Sequence, residues 1–367
     1  MPAFDSSTST DRALGEALAR RTLDLCRIRS ATGEERAIAD RAETWARPLF
    51  ENAVERIGNS LVLGRPGSDG RQSVGLFGHL DTVPPSSSAD EPHLEPDRVV
   101  GLGASDMKGG LAVLELLAER GALEEAPFDV VAVMYEREEG PYTESGLGPL
   151  FEKRPDLSRL DFALCLEPTD NAIQMGCCGS IHATVTFEGI SAHSARPWQG
   201  ENAIHKAGPL LVRLRERTPV AVEVQGLRFW EAMSATVVRG GRARNVVPDE
   251  LALNLNYRFA PSKSLDEAQE ELKRFVGTQA QVLFTDLAPA APVFRDHPLL
   301  RRLQETTGAP IESKQAWTDV ARLGLHGVPA VNFGPGHGAQ AHQAAEYVDV
   351  ASLVRGYRLL ERFLHAG

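Results

Sequence analysis

The chain has 367 residues, with 39 Lys and Arg against 50 Asp and Glu, which gives a formal net charge of −11. An acidic chain without a long basic run is a poor binder of nucleic acid or of an anionic membrane. Its longest apolar stretches are about six residues, far short of the ~20 that span a bilayer, and its first residues lack the apolar core of a signal peptide. Because four cysteines in a chain of this length do not make a disulfide scaffold, we expect a cytoplasmic protein. The length of the chain predicts about two domains.

The first fifty residues predict two helices. Apolar residues at roughly helical spacing between Leu14 and Cys26 indicate the first helix. The second predicted helix runs from about Thr32 to Phe50. Thr32 is expected to be its N-cap, and Glu35, three residues on, would complete a capping box.

Four later segments are short and almost continuously apolar. They are Val74–Phe77, Val130–Tyr135, Phe162–Leu166 and Ala330–Phe333. Continuous apolarity predicts strands that are buried on both faces, as in a sheet covered by helices. Helical stretches such as Leu111–Arg120 lie between these runs, so the pattern predicts an α/β fold.

The middle of the chain alternates apolar and polar residues instead. This holds for Ile181–Glu188 and Leu251–Phe259, and alternation is typical of a sheet with one covered face. The remaining elements predicted here are helices at Asn202–Arg217 and Ser264–Phe275 and strands at Val220–Val224, Ser234–Arg239 and Gln281–Phe284. Their order is close to the β-α-β-β-α-β arrangement of ferredoxin-like domains. We therefore predict an α/β domain of residues 1–178 and 289–367, with an α+β domain of residues 179–288 inserted into it.

Polar side chains follow the four buried runs. His79 comes at the end of the first run, Glu139 after the second and Glu167 after the third. His342 lies beyond the fourth run, and Asp106 lies in a glycine-rich turn before a predicted helix. Ligands of open α/β sheets bind outside the carboxyl ends of the strands, and two imidazoles with three carboxylates suit zinc, cobalt or manganese. Spacing alone leaves open that each is a solvated loop residue or a helix cap.

The chain resembles the M20 metallopeptidase family in an ordered set of motifs that extends from about residue 20 to its end. The motifs are Gly78–Pro84, Ser105–Gly109, Glu138–Gly140, Glu167–Thr169, Ala192–Arg196, Asn202–Lys206, Asn245–Asp249, Asn256–Pro261, Trp317–Asp319 and Asn332–Gly336. Within the family, the chain is similar to desuccinylases of the actinobacterial type. The resemblance implies a zinc-peptidase-like mixed sheet flanked by helices, with an inserted ferredoxin-like domain that acts as a lid and as a dimerisation domain.

The resemblance also implies a centre of two divalent ions, with Zn²⁺ favoured over Co²⁺ or Mn²⁺. His79 and Glu167 would hold one ion, Glu139 and His342 would hold the other, and Asp106 would bridge the two.

Catalytic roles are implied for three further residues. Asp81 would orient the metal-bound imidazole, as a carboxylate behind a ligating histidine commonly does. Glu138 would be the general base. His193 would reach across the interface of a homodimer to the reacting carbonyl of the substrate at the partner's metal site.

Four residues are implied to bind the substrate, namely Arg196, Asn245, Arg258 and Thr318. The two arginines suit a substrate with several carboxylates, although each could instead be a solvated surface cation. The implied reaction is hydrolysis of N-succinyl-LL-2,6-diaminopimelate to succinate and LL-2,6-diaminopimelate. Another hydrolase of the family, such as an N-acetylornithine deacetylase or a carboxypeptidase, remains an alternative. So does a non-catalytic binding protein of the same fold.

Overall fold

A computed structural model describes residues 9–67, 70–86 and 91–365 of the chain. The chain divides into two compact units. The first unit consists of residues 1–175, 294–312 and 322–367, and the second consists of residues 176–293 and 313–321. The observed junctions lie near the predicted ones, but the segment 313–321, which the sequence-based division assigns to the first domain, groups with the second unit.

Helices and strands alternate along much of the described chain. The helices are α1 (Ser9–Cys26), α2 (Arg36–Phe50), α3 (Gly109–Glu119), α4 (Leu147–Lys153), α5 (Ala203–Glu216), α6 (Leu265–Val276), α7 (Pro298–Thr307), α8 (Val320–Leu325) and α9 (Val350–His365). The strands are β1 (Val54–Ile57), β2 (Ser60–Leu63), β3 (Ser73–His79), β4 (His93–Leu94), β5 (Arg98–Val100), β6 (Asp129–Tyr135), β7 (Phe162–Cys165), β8 (Ile173–Cys177), β9 (Gly179–Glu188), β10 (Ala192–His193), β11 (Val220–Val224), β12 (Leu227–Gly240), β13 (Val246–Val247), β14 (Glu250–Phe259), β15 (Gln281–Ala288), β16 (Ile311–Lys314), β17 (Ala330–Asn332) and β18 (Tyr347–Asp349). Within the described residues, no helix is both long and apolar enough to cross a bilayer.

An eight-stranded mixed sheet of order β1-β2-β6-β3-β7-β17-β8-β16 organises the first unit. The four predicted apolar runs form its adjacent central strands β6, β3, β7 and β17, which pair in parallel. Every residue of β3 is buried, as expected for a strand covered on both faces. Because parallel strands end at the same edge, the sheet brings the loops after β3, β6, β7 and β17 to one rim. The predicted α/β fold with a mixed sheet is thus confirmed.

The predicted capping box at the start of α2 is wrong. The helix begins at Arg36, and Glu35 occupies the N-cap position without a side-chain capping hydrogen bond. The Thr32 hydroxyl is three residues too early in the chain to cap this helix, and it bonds Asp81 Oδ2 at 2.9 Å instead. The Glu35 carboxylate accepts the N–H of Gly33 at 2.6 Å.

The second unit is built on an antiparallel sheet of order β11-β12-β14-β9-β15. Without β11, the order β12-β14-β9-β15 and the helices α5 and α6 give the ferredoxin-like arrangement that the sequence predicts. One face of β9 and β14 packs with both helices in a single apolar core. The Asn202 side chain caps α5, and a capping box of Ser264 and Glu267 opens α6. Along these strands the core residues alternate with polar residues on the opposite face, and that face stays open to solvent.

Candidate metal centre

The first imidazole of the candidate centre is held at the carboxyl end of a buried strand. His79 is the last residue of β3 and is 1% exposed. Its Nε2 atom lies 3.1 Å from Asp106 Oδ1. Its Nδ1 atom lies 3.0 Å from the main-chain oxygen of Asp81 and 3.5 Å from the Asp81 carboxylate. One nitrogen of the ring is therefore held by Asp81, and the other faces a carboxylate.

Asp106 lies between two imidazoles. While its Oδ1 atom faces His79, its Oδ2 atom is 3.8 Å from His342 Nε2. That His342 nitrogen is also 3.0 Å from Glu139 Oε1. Ligand atoms of His79, Asp106 and Glu139 all lie within 4.8 Å of one another, as ligands of shared ions would. A carboxylate with one oxygen toward each imidazole is the arrangement that bridging of two ions requires.

Asp81 organises the loop that carries the two adjacent glutamates. Its carboxylate is fully buried and accepts the N–H of Glu138 at 3.0 Å and the N–H of Glu139 at 3.1 Å. The Thr32 hydroxyl supplies a further hydrogen bond. Although burial opposes the charged form, its hydrogen bond with His79 and the two amide donors lower the pKa of Asp81. Asp81 thus orients both glutamates in addition to the imidazole that the sequence analysis assigns to it.

Nearby carboxylates favour the charged form of both imidazoles. Burial disfavours the charged form of His79, yet the hydrogen bond with Asp106 and the nearby charge of Glu138 raise the pKa of His79 well above its ordinary value. The hydrogen bond with Glu139 raises the pKa of His342 to about 9. The same negative field would favour a bound divalent cation, so the donor set and its electrostatics both fit a metal centre.

Glu138 and Glu167 complete the predicted set in the first unit. Glu138 follows β6 and is half-buried, with its carboxylate close enough to His79 to affect the pKa of the ring. Glu167 is buried and follows β7 by two residues, at the same edge of the sheet as His79. The 4.8 Å group does not include Glu167, and its role as a ligand stays a prediction.

The substrate-related residues of the sequence analysis all lie in the second unit. The short pair β10–β13 brings two of them together, because His193 lies opposite Val246 and the Ser194 N–H donates to the carbonyl of Asn245 at 2.9 Å. His193 and Asn245 are exposed, as is Arg196. The His193 Nδ1 atom accepts the N–H of Ala195 at 3.0 Å, which fixes the ring and leaves Nε2 available.

Arg258 and Thr318 lie elsewhere in the second unit. Arg258 is near the end of β14 and is half-buried, where desolvation lowers the pKa of its guanidinium. Its Nε donates to Asn256 Oδ1 at 3.2 Å, and among the described residues no carboxylate lies within ion-pair distance of it. Thr318 is buried, and its carbonyl lies 3.7 Å from Cys177 Sγ.

Two residues beside the candidate centre have contacts there that the sequence does not predict. One is Thr32, whose hydroxyl holds Asp81 rather than a helix end. The other is Glu346, four residues after His342, which accepts backbone hydrogen bonds from the turn that carries Asp106. A single acid before a three-residue strand has no periodicity that would mark it, so only the fold reveals its partners.

Residues 75–366 match the model of peptidase family M20/M25/M40. The chain belongs to this family. The DapE protein of Mycobacterium tuberculosis is 38% identical to it over 345 residues, which cover 94% of this chain and 96% of that protein. Succinyl-diaminopimelate desuccinylase of Corynebacterium glutamicum is 34% identical over 350 residues, which cover 94% and 95%. The chain is therefore a metal-dependent amide hydrolase, and the alternative of a non-catalytic binding protein is set aside.

Solved structures share the fold across almost the whole chain. A crystal structure of a tripeptidase from Staphylococcus aureus superposes with a TM-score of 0.79 at 19% identity, covering 96% of this chain and 98% of that one. At this identity the similarity concerns the fold alone.

Zinc binding should release protons at about pH 7.5, because zinc binds neutral imidazole and His342, with a pKa of about 9, is charged at that pH. His342 should contribute close to one proton, and His79, whose pKa is also raised, should add to it. Proton release should decline above about pH 9. The apparent affinity for zinc should fall as the pH is lowered below about 9. Calorimetric titration in buffers of different ionisation enthalpy measures the protons released. A value of zero at about pH 7.5 would contradict imidazole ligation.

Proposed function

We propose that the protein removes the succinyl group from N-succinyl-LL-2,6-diaminopimelate, which gives succinate and LL-2,6-diaminopimelate. The observation that carries the chemistry is Asp106 between two imidazoles, one of them bonded to Glu139, with Glu138 next in the chain. The relatives from Mycobacterium and Corynebacterium support the choice of substrate.

In this proposal His79, Glu167, Asp106, Glu139 and His342 hold two divalent ions, Zn²⁺ in preference to Co²⁺ or Mn²⁺. When bound, such ions lower the pKa of a water molecule toward neutrality and polarise the acyl carbonyl.

Glu138 is the residue that transfers protons. Its carboxylate accepts a proton from water as the water oxygen forms a bond to the acyl carbon, and it then donates that proton to the amine nitrogen as the C–N bond breaks. The products are a carboxylic acid, which ionises to succinate, and an amine, which takes up a proton to become an ammonium group. Asp81 contributes by holding the amides of Glu138 and Glu139, so that the base and its neighbouring ligand keep a fixed separation. His193 donates a hydrogen bond to the carbonyl oxygen, where negative charge develops.

Recognition of the substrate is assigned to Arg258, Arg196, Asn245 and Thr318. A half-buried guanidinium without a carboxylate partner among the described residues is costly unless an anion binds it. Arg258 therefore suits a carboxylate of the substrate. The exposed Arg196 and Asn245 lie close to His193 in the chain or across the β10–β13 pair, so they suit groups near the scissile amide.

A panel of substrates tests the assignment. With added Zn²⁺ or Co²⁺, we expect kcat/KM for N-succinyl-LL-2,6-diaminopimelate to exceed that for N-acetylornithine by about tenfold or more, since one well-placed ionic contact has roughly that effect. A carboxypeptidase substrate with a free C-terminus serves as the second comparison. Faster hydrolysis of N-acetylornithine or of the peptide would replace the proposed substrate, while the amide hydrolase chemistry would stand.

We also propose that two chains form a homodimer through the second unit. Among the described residues, β11 covers β12 only along Leu227–Glu231, so the edge from Ser234 onward has no neighbouring strand. Val237 and Val238 on this edge are 48% and 63% exposed. An open edge with exposed β-branched residues invites pairing, and pairing with a second copy about a twofold axis would cover it.

The position of His193 supports a role in the partner chain. β14 carries Arg258 near one end, whereas the segment with His193 leaves the sheet at its other end, where Glu250 lies opposite Glu188. The eight residue-to-residue steps from Glu250 to Arg258 extend about 27 Å along the strand. His193 and Arg258 of one chain are therefore attached to opposite ends of the sheet. This placement favours contact of the two residues with two different substrate molecules, one in each site of the dimer.

A cytoplasmic location is proposed on the chemistry of the cysteines. Cys26, Cys165, Cys177 and Cys178 are all free and buried. Free thiols without any disulfide suit a reducing compartment.

A further inference from the structure

Glu346 lies outside the predicted ligand set and is only 1% exposed. It directly precedes β18, in which Tyr347 lies opposite Val100 of β5. This register places Glu346 opposite Gly101, and the Gly101 N–H donates to the Glu346 carbonyl at 2.8 Å. The pairing of two short strands thus brings the Glu346 side chain to the turn that leads into Asp106.

The Glu346 carboxylate accepts hydrogen bonds from three backbone N–H groups of that turn. Its Oε2 atom accepts the N–H of Gly103, and its Oε1 atom accepts the N–H groups of Ser105 and Asp106, each at 2.9 Å. Hydrogen bonds to a carboxylate are stronger than those between neutral groups. The backbone is not helical at Asp106 and Met107, and the main-chain hydrogen bonds here, from Lys108 N–H to the Gly103 carbonyl at 2.8 Å and from Gly109 N–H to the Ala104 carbonyl, span these two residues without using the Asp106 N–H.

The turn is also closely packed against its surroundings. Gly103 has a φ of 80°, and a Cβ atom there would lie 2.6 Å from the Thr82 side chain. The Ser105 hydroxyl donates to the carbonyl of His337 at 3.3 Å. In a turn packed this closely, a change in the position of the Glu346 carboxylate reaches Asp106 directly, because that carboxylate accepts the Asp106 N–H.

We infer that Glu346 is a positioning residue that sets the Asp106 carboxylate between the two imidazoles. The inference rests on the proposed metal centre. Glu346 lies four residues after His342, whose Nε2 is 3.8 Å from Asp106 Oδ2. One side chain therefore links the segment that carries His342 to the turn that carries Asp106. Residues behind metal ligands commonly change affinity by about 10- to 100-fold when replaced.

Titration of the protein with Co²⁺ alone tests this inference. Burial raises the pKa of Glu346 to about 7 even though three amides oppose the shift, so the titration belongs at about pH 8, where the carboxylate is charged. Glu346→Gln offers one oxygen in place of two and leaves an N–H of the turn facing an amide NH₂. We expect Co²⁺ affinity to fall by about 10- to 100-fold, with altered Co²⁺ absorption bands.

Glu231→Gln is the matched control. Glu231 is also a buried carboxylate that accepts a backbone N–H, that of Ala260 at 3.0 Å, but it lies in the second unit. Its replacement should lower the melting temperature without changing Co²⁺ affinity. Glu346→Asp retains both oxygens on a shorter side chain and should bind Co²⁺ with intermediate affinity; this variant decides the matter if Glu346→Gln does not fold.

The inference would be overturned if Glu346→Gln and Glu346→Asp had the Co²⁺ affinity and absorption bands of the wild type and only a lower melting temperature. Glu346 would then have a purely structural role. A wild-type protein that binds no Co²⁺ would overturn both the metal centre and the inference. Because no substrate enters the experiment, an error in the proposed substrate leaves its result unaffected.

Discussion

Glu138→Gln is expected to lower kcat by about 10² or more while the metal content stays unchanged, since removal of a general base has an effect of that scale. The amide has nearly the shape of the carboxylate but cannot take a proton from water. The backbone N–H of Glu138, which donates to Asp81 Oδ1 at 3.0 Å, is unaffected by the change, so the loop should keep its position. Steady-state kinetics and metal analysis of the same preparation measure the two quantities.

Glu139→Gln provides the matched comparison, because it changes the next residue by the same atoms. Glu139 Oε1 lies 3.0 Å from His342 Nε2, so this variant should bind one ion more weakly. Its activity should recover in part when metal is added, whereas that of Glu138→Gln should not. Equal loss of metal in both variants would reverse or remove the assignment of base and ligand.

The central sheet could be predicted because burial on both faces leaves a strong mark in the sequence. The four apolar runs became the adjacent parallel strands β6, β3, β7 and β17. Parallel strands end at one edge, and this geometry alone led from the sequence to a rim that carries His79, Glu139 and His342. The distances of 3.0 to 3.8 Å that join these residues to one another and to Asp106 were beyond sequence reasoning, since they depend on loops without periodic patterns.

The Thr32 prediction failed because a local rule competed with a tertiary contact. Thr32 and Glu35 have the spacing of a capping box, but the chain around Thr32 pairs with the segment after β3, where the Thr32 N–H donates to the carbonyl of Thr82 at 3.0 Å. That pairing aims the hydroxyl at Asp81, a buried carboxylate that gains more from a donor than a solvated helix end does.

The length of β12 was underestimated for a similar reason. The prediction starts the strand at Ser234, whereas it begins at Leu227 after a two-residue turn in which Gln225 and Gly226 both have positive φ, 48° and 77°. Such turns favour Asn or Asp before Gly, so Gln gives a weak signal. In addition, Glu231 occupies a buried position of the strand and interrupts its apolar alternation; its charge is satisfied by Lys263 at 2.8 Å.

Mixing His193→Ala subunits with Glu138→Ala subunits is expected to restore about a quarter of wild-type activity from two nearly inactive parents. Random exchange makes half of the dimers mixed, and each mixed dimer combines Glu138 of one chain with His193 of the other in one of its two sites. The attachment of His193 at the end of the sheet away from Arg258 is the structural reason to expect action on the partner chain. Mild dissociation before mixing permits the exchange, and amide hydrolysis by the mixture is then compared with that of each parent.

The control replaces the Glu138→Ala partner with a chain that carries both substitutions. Mixed with His193→Ala subunits, this chain forms the same dimers, but no site contains an intact His193, so no activity should return. If His193 acted within its own chain, the first mixture would also stay inactive, because every chain then lacks one of the two residues. A monomer at micromolar concentration in light scattering would exclude a stable dimer and with it the role of His193 in the partner site. The two measurements thus separate an error about the dimer from an error about His193. A stable dimer without restored activity would leave the proposed homodimer standing and would contradict the role of His193 in the partner site.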